Sequence, residues 1–271
     1  MTQTDRLRTL LLILVTAALG ACAPRSAPAA TTGSTTLTVF AAASLTNAFE
    51  DLARAFEETH PAIDVVMSFG ASQALRTQIE NGAQADIFAS ANREEMKALV
   101  DEALVDEAGT PVFARNRLVV VLPADNAAGL KDLHDLARRG LRLVVADPAV
   151  PAGKYTLRMF DSIAGDLEWG EGFRDAVMAN LVSQEESVRA VLAKVALGEA
   201  DAGIVYTSDA ASQPELGRIE LPAEHNPMAE YPLAALRASP NASAASAFIE
   251  FVLSGSGQQI LEEHGFLPAV D

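Results

Sequence analysis

From Leu37 onward, short β-branched runs alternate with apolar stripes at helical spacing, and this alternation predicts the architecture. Leu37-Thr38-Val39-Phe40 reads as a strand, and Leu45, Ala48, Phe49, Leu52 and Phe56 then recur at intervals of three and four, one face of a helix. Asp64 to Phe69 repeats the strand pattern, and Gly70-Ala71 turns into a helix carrying Leu75 and Ile79 that stops at Asn81-Gly82. Asp86-Ile87-Phe88-Ala89 gives a third strand. Asn92, with Glu95 three residues later, has capping-box spacing for a helix through Met96, Leu99, Val100 and Ala103. Three strand–helix units in succession predict a mainly parallel sheet.

Arg117 to Pro123 encloses a continuous β-branched run, the pattern of a strand buried on both faces. After it the rhythm resumes. A helix is expected from about Leu130 to Arg139, ended by Gly140, then a strand at Leu141 to Val145. Pro151-Ala152-Gly153 opens a helix through Leu157, Phe160 and Ile163. Ser187 or its neighbour caps a helix with Val188, Val191, Leu192 and Val195 on one face, and Gly203-Ile204-Val205-Tyr206 is the strand that follows. This is a second α/β domain. A strand at Tyr231 to Leu236 and helices at Ser243 to Leu253 and Ser256 to His264 finish the chain, and periodicity does not say where those helices dock.

The segment before Leu37 is different in kind. Arg6 and Arg8 precede the apolar run Leu10 to Val15, and small residues lead down to Cys22, so residues 1–22 read as an export leader. The apolar stretch is too short to span a bilayer. Cys22 is the only cysteine of the 271 residues, so no disulfide or cysteine metal site is expected in the domain itself. Ala23 to Thr36, rich in Ala, Pro, Ser and Thr, reads as a flexible tether.

Composition narrows the partners. A formal charge of −16 argues against nucleic acid, which needs clustered Lys and Arg, and it suits a soluble acidic surface. The sequence has no Gly-x-Ser-x-Gly elbow, no His-Glu-x-x-His and no P-loop, and His60, His134, His225 and His264 are widely spaced and read as surface or capping residues. What the pattern does supply is a set of strand ends that run straight into small or hydroxyl residues at helix starts: Ala43-Ser44, Gly70-Ala71-Ser72, Pro151-Ala152-Gly153 and Ser187-Val188. First-turn N–H groups lack intrahelical acceptors and sit at the positive end of the helix dipole, so each start is a candidate anion site. Taken singly these serines are ordinary caps; only the set is informative.

Phe40-Ala41-Ala42-Ala43-Ser44-Leu45-Thr46-Asn47-Ala48, Ser68-Phe69-Gly70-Ala71-Ser72, Ala85-Asp86-Ile87-Phe88-Ala89-Ser90, Asp147-Pro148-Ala149-Val150-Pro151-Ala152-Gly153 and Gly203-Ile204-Val205-Tyr206-Thr207-Ser208-Asp209-Ala210 together resemble the periplasmic molybdate-binding proteins of ABC importers, in order over nearly the whole chain after the tether. The resemblance implies a type II periplasmic-binding-protein fold, α/β and two-lobed, with mixed, mainly parallel sheets and a hinge. Lobe 1 would be residues 37–116 completed by 233–271, and lobe 2 residues 117–232. It implies further that Ser44 and Ser72 hold an unhydrated oxyanion through hydroxyl and backbone N–H, Ala152 and Val188 through backbone N–H, and Tyr206 through its phenol. Molybdenum would be held only as the oxyanion, with no direct protein–metal ligands and no cofactor. Leu19-Gly20-Ala21-Cys22 resembles a lipobox, which makes Cys22 a lipid-attachment site.

The resulting expectation is a monomeric, exported lipoprotein at the outer face of the cytoplasmic membrane or in the periplasm. It would bind molybdate or tungstate and deliver it to an ABC permease in that membrane. Alternatives are a receptor for another tetrahedral oxyanion such as sulfate, and a secreted hydrolase. A tyrosine-based iron carrier fits poorly with only three tyrosines, and an adhesive lipoprotein would have no need of a crevice.

Overall fold

The computed structural model describes residues Ser34 to Ala269; the proposed leader, Cys22 and the tether up to Gly33 lie outside them. The first strand, β1 (Thr35–Ala42), begins two residues before the expected Leu37, because Thr35 and Thr36 already pair with Ile63 and Asp64 of β2 (Ile63–Gly70). Threonine is β-branched and suits that extension. Between the two strands runs α1 (Thr46–Thr59), and α2 (Ser72–Glu80), β3 (Ile87–Ala89) and α3 (Arg93–Asp101) follow. The Asn92 side chain accepts from the Glu95 amide, 3.0 Å, as its spacing predicted. The reciprocal half of a capping box is missing, because the Glu95 carboxylate turns instead to Arg76 and Lys154.

The expected run of parallel strands is only part of the first sheet. β4 (Val112–Asn116), which the apolar pattern did not announce, and β10 (Ala229–Ala235) complete the order β2-β1-β3-β10-β4, with β10 antiparallel to both of its neighbours. The second sheet has the order β7-β6-β8-β5-β9, from β5 (Leu118–Leu122), β6 (Leu143–Ala146), β7 (Leu181–Glu185), β8 (Ala202–Tyr206) and β9 (Gly217–Glu220). Each sheet thus has four strands running one way and a single reversed strand, β10 in the first and β5 in the second. The chain leaves the first sheet after Asn116 and re-enters it at Ala229, so it crosses between the sheets twice.

All five residues of β5 are buried, as a β-branched run flanked by strands on both sides requires. The helix expected from Leu130 to Arg139 shrinks to a 3-10 turn over Leu133–Ala137, capped by Asp132, in which only Leu133 and Leu136 are buried. The second lobe also holds α4 (Pro151–Ala164), α5 (Phe173–Met178), α6 (Val188–Ala196) and α7 (Thr207–Ala211). The closing helices α8 (Ala242–Leu253) and α9 (Gly255–Glu263) return to the first lobe. Phe248 of α8 meets Phe56 edge-on at 5.2 Å between ring centroids and Phe49 at 6.3 Å. Burying one such ring contributes roughly 1.5–3 kcal/mol, enough to dock the helix that periodicity left unplaced.

One close approach fixes where α4 starts. A Cβ on Gly153 would stand 2.1 Å from the Asp147 carbonyl oxygen and 2.6 Å from that of Ala146, so only glycine lets the first turn of α4 lie against the end of β6. Gly153→Ala is therefore expected to lower stability by about 1–3 kcal/mol. A urea unfolding curve checks this, and an unchanged midpoint would contradict the packing.

Candidate functional site

The ends of β1, β2, β6, β7 and β8 point toward one crevice, and the segment after each begins or precedes a helix. Ala43–Leu45 forms a 3-10 turn that continues into α1, α2 starts at Ser72, α4 at Pro151 and α6 at Val188. Tyr206 is the last residue of β8 and the cap of α7. The structure brings all five sequence-derived positions, Ser44, Ser72, Ala152, Val188 and Tyr206, to the wall of one small cavity. Each is at most 4% exposed. The rest of the wall is alanine, valine and proline, with no carboxylate, lysine or arginine among the described lining residues. Two positions follow strands of the first sheet and three belong to the second, so neither lobe contains the cavity alone.

The polar groups here are donors. Ser44, Ser72, Ala152 and Val188 fall in first turns, where backbone N–H groups have no intrahelical acceptor. Ser72 Oγ accepts from the Ala91 amide at 3.0 Å, which leaves its own hydrogen free to donate elsewhere. Ser187 Oγ is spent capping α6 through the Ala190 amide, 3.2 Å, so the helix presents Val188 N–H and not the serine side chain. The Tyr206 hydroxyl is buried without a hydrogen-bond partner among the described residues. Burial first of all, with Tyr231, Tyr155 and Asp209 nearby, holds its pKa well above the ordinary phenol range, so it keeps its proton. Tyr231 approaches it ring to ring at 5.8 Å but makes no hydrogen bond to it of acceptable geometry.

Behind this wall lie residues that sequence reasoning missed. Asp209 is fully buried and accepts from the Tyr206 amide, 3.3 Å, while Arg189 Nε stands 3.0 Å from its other oxygen, an ion pair at poor hydrogen-bond angle. Burial raises the Asp209 pKa to about 6 against the opposing pull of Arg189 and the Tyr206 amide. Arg189 also reaches across the crevice to Asn47 Oδ1 of α1, 2.7 Å. On the opposite flank Lys154 of α4 bonds Glu94 and Glu95 of α3 at 2.9 and 2.8 Å, and Arg158 pairs with Glu94. The two lobes are thus tied on both sides of the cavity. A charge beside a helix start in the sequence marks such partners only once the fold is known.

One histidine departs from expectation. His225 is buried, with Nδ1 2.8 Å from Ser162 Oγ and Nε2 3.1 Å from Asp166, the composition of a hydrolytic triad. Ser162 lies inside α4, where the neighbouring amides are engaged in helix bonds, so no oxyanion donors face it. The arrangement ties α4 to the segment before β10.

Two like sheets joined by two crossings, with a donor-lined cavity between them, define a two-lobed solute-binding protein of the periplasmic-binding-protein fold. The sequence model of the family described as bacterial extracellular solute-binding protein matches residues 37–267. The molybdate-binding protein ModA of Mycobacterium tuberculosis is 37% identical over 252 residues, 92% of this chain and 91% of its own. Its Escherichia coli namesake is 36% identical over 237 residues, 85% and 88% of the two chains. The solved periplasmic molybdate-binding protein of Azotobacter vinelandii superposes with a TM-score of 0.72 at 21% identity, over 85% of this chain and 98% of that one, a likeness of fold. The chain belongs to the bacterial extracellular solute-binding protein family.

An orphaned buried hydroxyl is costly in the empty protein. Tyr206→Phe is expected to raise the stability of the ligand-free protein by about 1 kcal/mol. Urea denaturation in anion-free buffer measures it, and a clear loss of stability would mean that the hydroxyl has a protein partner after all.

Proposed function

We propose that the protein captures molybdate as an unhydrated tetrahedral oxyanion in this cavity and delivers it to an ABC permease. The observation that carries the reading is the unpartnered, buried Tyr206 hydroxyl, facing the same small space as the starts of helices from both lobes. The names carried by relatives at 37% and 36% identity point to the same ligand.

The chemistry follows from the donor set. A chain of net charge −16 repels a dianion at long range, yet oriented N–H and O–H dipoles at contact distance in a dry site outweigh that field. A wall that only donates also selects by protonation state. An anion carrying a proton sets donor against donor and leaves a buried group unpaired, so fully deprotonated tetrahedral anions bind best. Tungstate, with the same charge and shape, is expected to compete on similar terms. The residues in these roles are Ser44 and Ser72 through hydroxyl and amide, Ala152 and Val188 through amide, and Tyr206 through its phenol. The protein acts as a binder and not as a catalyst. It works as a monomer outside the cytoplasm, held to the membrane by lipid on Cys22 after removal of the leader residues that precede it.

Molybdate at a hundredfold excess over Kd adds about 2.7 kcal/mol to the folded state, which for a domain of this size raises Tm by about 5–10 °C. Thermal melts read the shift, with sulfate as the competing tetrahedral dianion. Ser44→Ala combined with Ser72→Ala should abolish most of it. A shift that survives both substitutions would place the anion elsewhere, and a larger shift with sulfate would reassign the ligand.

A further inference from the structure

Ser44 differs from Ser72 in how its hydroxyl is oriented. Ser72 Oγ receives a backbone N–H, so its hydrogen is left over for a ligand. Ser44 Oγ instead meets another hydroxyl, that of Tyr231, at 3.0 Å in a fully buried contact between residues 187 apart in sequence. Either group could donate. If Ser44 donated to the phenol, it would offer an anion only lone pairs, and one wall of the site would repel the ligand.

The surroundings of Tyr231 settle the sense of that bond. Its side chain is wholly buried and is not part of the cavity wall, so its hydrogen has no outlet toward a ligand. Tyr206 offers no alternative acceptor, since its hydroxyl makes no hydrogen bond. Among the described residues Ser44 Oγ is the one hydrogen-bond partner of the Tyr231 hydroxyl, so a phenol that accepted from Ser44 would strand its own hydrogen in the core. The phenol hydrogen therefore goes to Ser44 Oγ.

We propose that Tyr231 is a positioning residue for the oxyanion site: by donating to Ser44 Oγ it compels the Ser44 hydroxyl to donate into the cavity. This rests on the anion-binding reading of the cavity and adds to it a residue that never touches the ligand. Tyr231 lies in β10, so discrimination between deprotonated and protonated tetrahedral anions is built partly into a strand behind the cavity wall.

Tyr231→Phe keeps the ring and deletes the donor. With the serine hydroxyl free to turn and accept, calorimetric titration should show molybdate affinity falling about tenfold, which is 1.4 kcal/mol. Inorganic phosphate, which carries a proton near neutral pH, should lose nothing or gain, so the preference for molybdate over phosphate narrows by at least that factor. An equal loss for both anions, or no loss for either, would overturn the proposal and leave Tyr231 as packing.

A second reading needs no ligand. Ser44→Ala strands the Tyr231 hydrogen, so Tm of the ligand-free protein should fall by a few degrees, and adding Tyr231→Phe should restore much of it. A Tm unmoved by Ser44→Ala, or lowered further in the double variant, would reverse the bond and sink the proposal. Should the unsubstituted protein fail to bind molybdate, the reading of the cavity falls, while these melts still report which hydroxyl donates.

Discussion

Everything in this molecule bears on the withdrawal of a few N–H and O–H groups from water without giving them acceptors from the protein. A buried polar group left unpaired costs about 1–3 kcal/mol, and folded chains rarely tolerate several in one place. Here the Tyr206 hydroxyl is kept in that condition, and the opening turns of α1, α2, α4 and α6 bring their unpaired amides to the same neighbourhood. Such a site is paired as a whole only by a guest that accepts on every side. The absence of cationic side chains from the wall makes the preference one of geometry and protonation and less one of net charge.

The fold serves that end through its repeated topology. Each sheet sets a run of three adjacent parallel strands beside one reversed strand and an edge strand, and the parallel run discharges into helix starts at the crevice. Gly153 admits the backbone of α4 to the end of β6, and Asp209 fixes Tyr206 at the end of β8 by accepting its amide. Because two of the five lining positions come from one lobe and three from the other, the cavity exists only while the lobes meet. Arg189 with Asn47 on one flank, and Lys154 with Glu94 and Glu95 on the other, hold them together. Lys154 and Arg189 each lie close to a helix start that lines the cavity, so the contacts that tie the lobes stand beside the site they share.

The parts of this structure legible in the sequence were those where one physical signal dominated. The stripe Leu45 to Phe56 and the run Leu118 to Leu122 could only be a one-faced helix and a doubly covered strand, and so they are. Of the four edge strands only β2 was legible. β7, Leu181-Val182-Ser183-Gln184-Glu185, is half polar because only one side of it meets another strand, and β9 and β4 are short and mixed for the same reason. The helix starts at Ser44, Ser72, Ala152 and Val188 were visible as strand-to-helix junctions. Tyr206 read only as the end of a strand, and its likeness to a family motif alone assigned it a role. Tyr231, Arg189 and Asp209 gave no signal because their partners are brought near by the tertiary fold, Tyr231 meeting Ser44 across 187 residues. His225 was misread as a surface residue for the same reason, its partners Ser162 and Asp166 lying 63 and 59 residues away.

The account is tested most directly by growing crystals of the protein with molybdate and collecting diffraction data across the molybdenum absorption edge. It predicts a single strong anomalous peak in the cavity, within hydrogen-bonding reach of the Ser44 and Ser72 hydroxyls, the Ala152 and Val188 amides and the Tyr206 phenol. A peak outside that cavity, or one coordinated directly by carboxylate or imidazole groups, would contradict it.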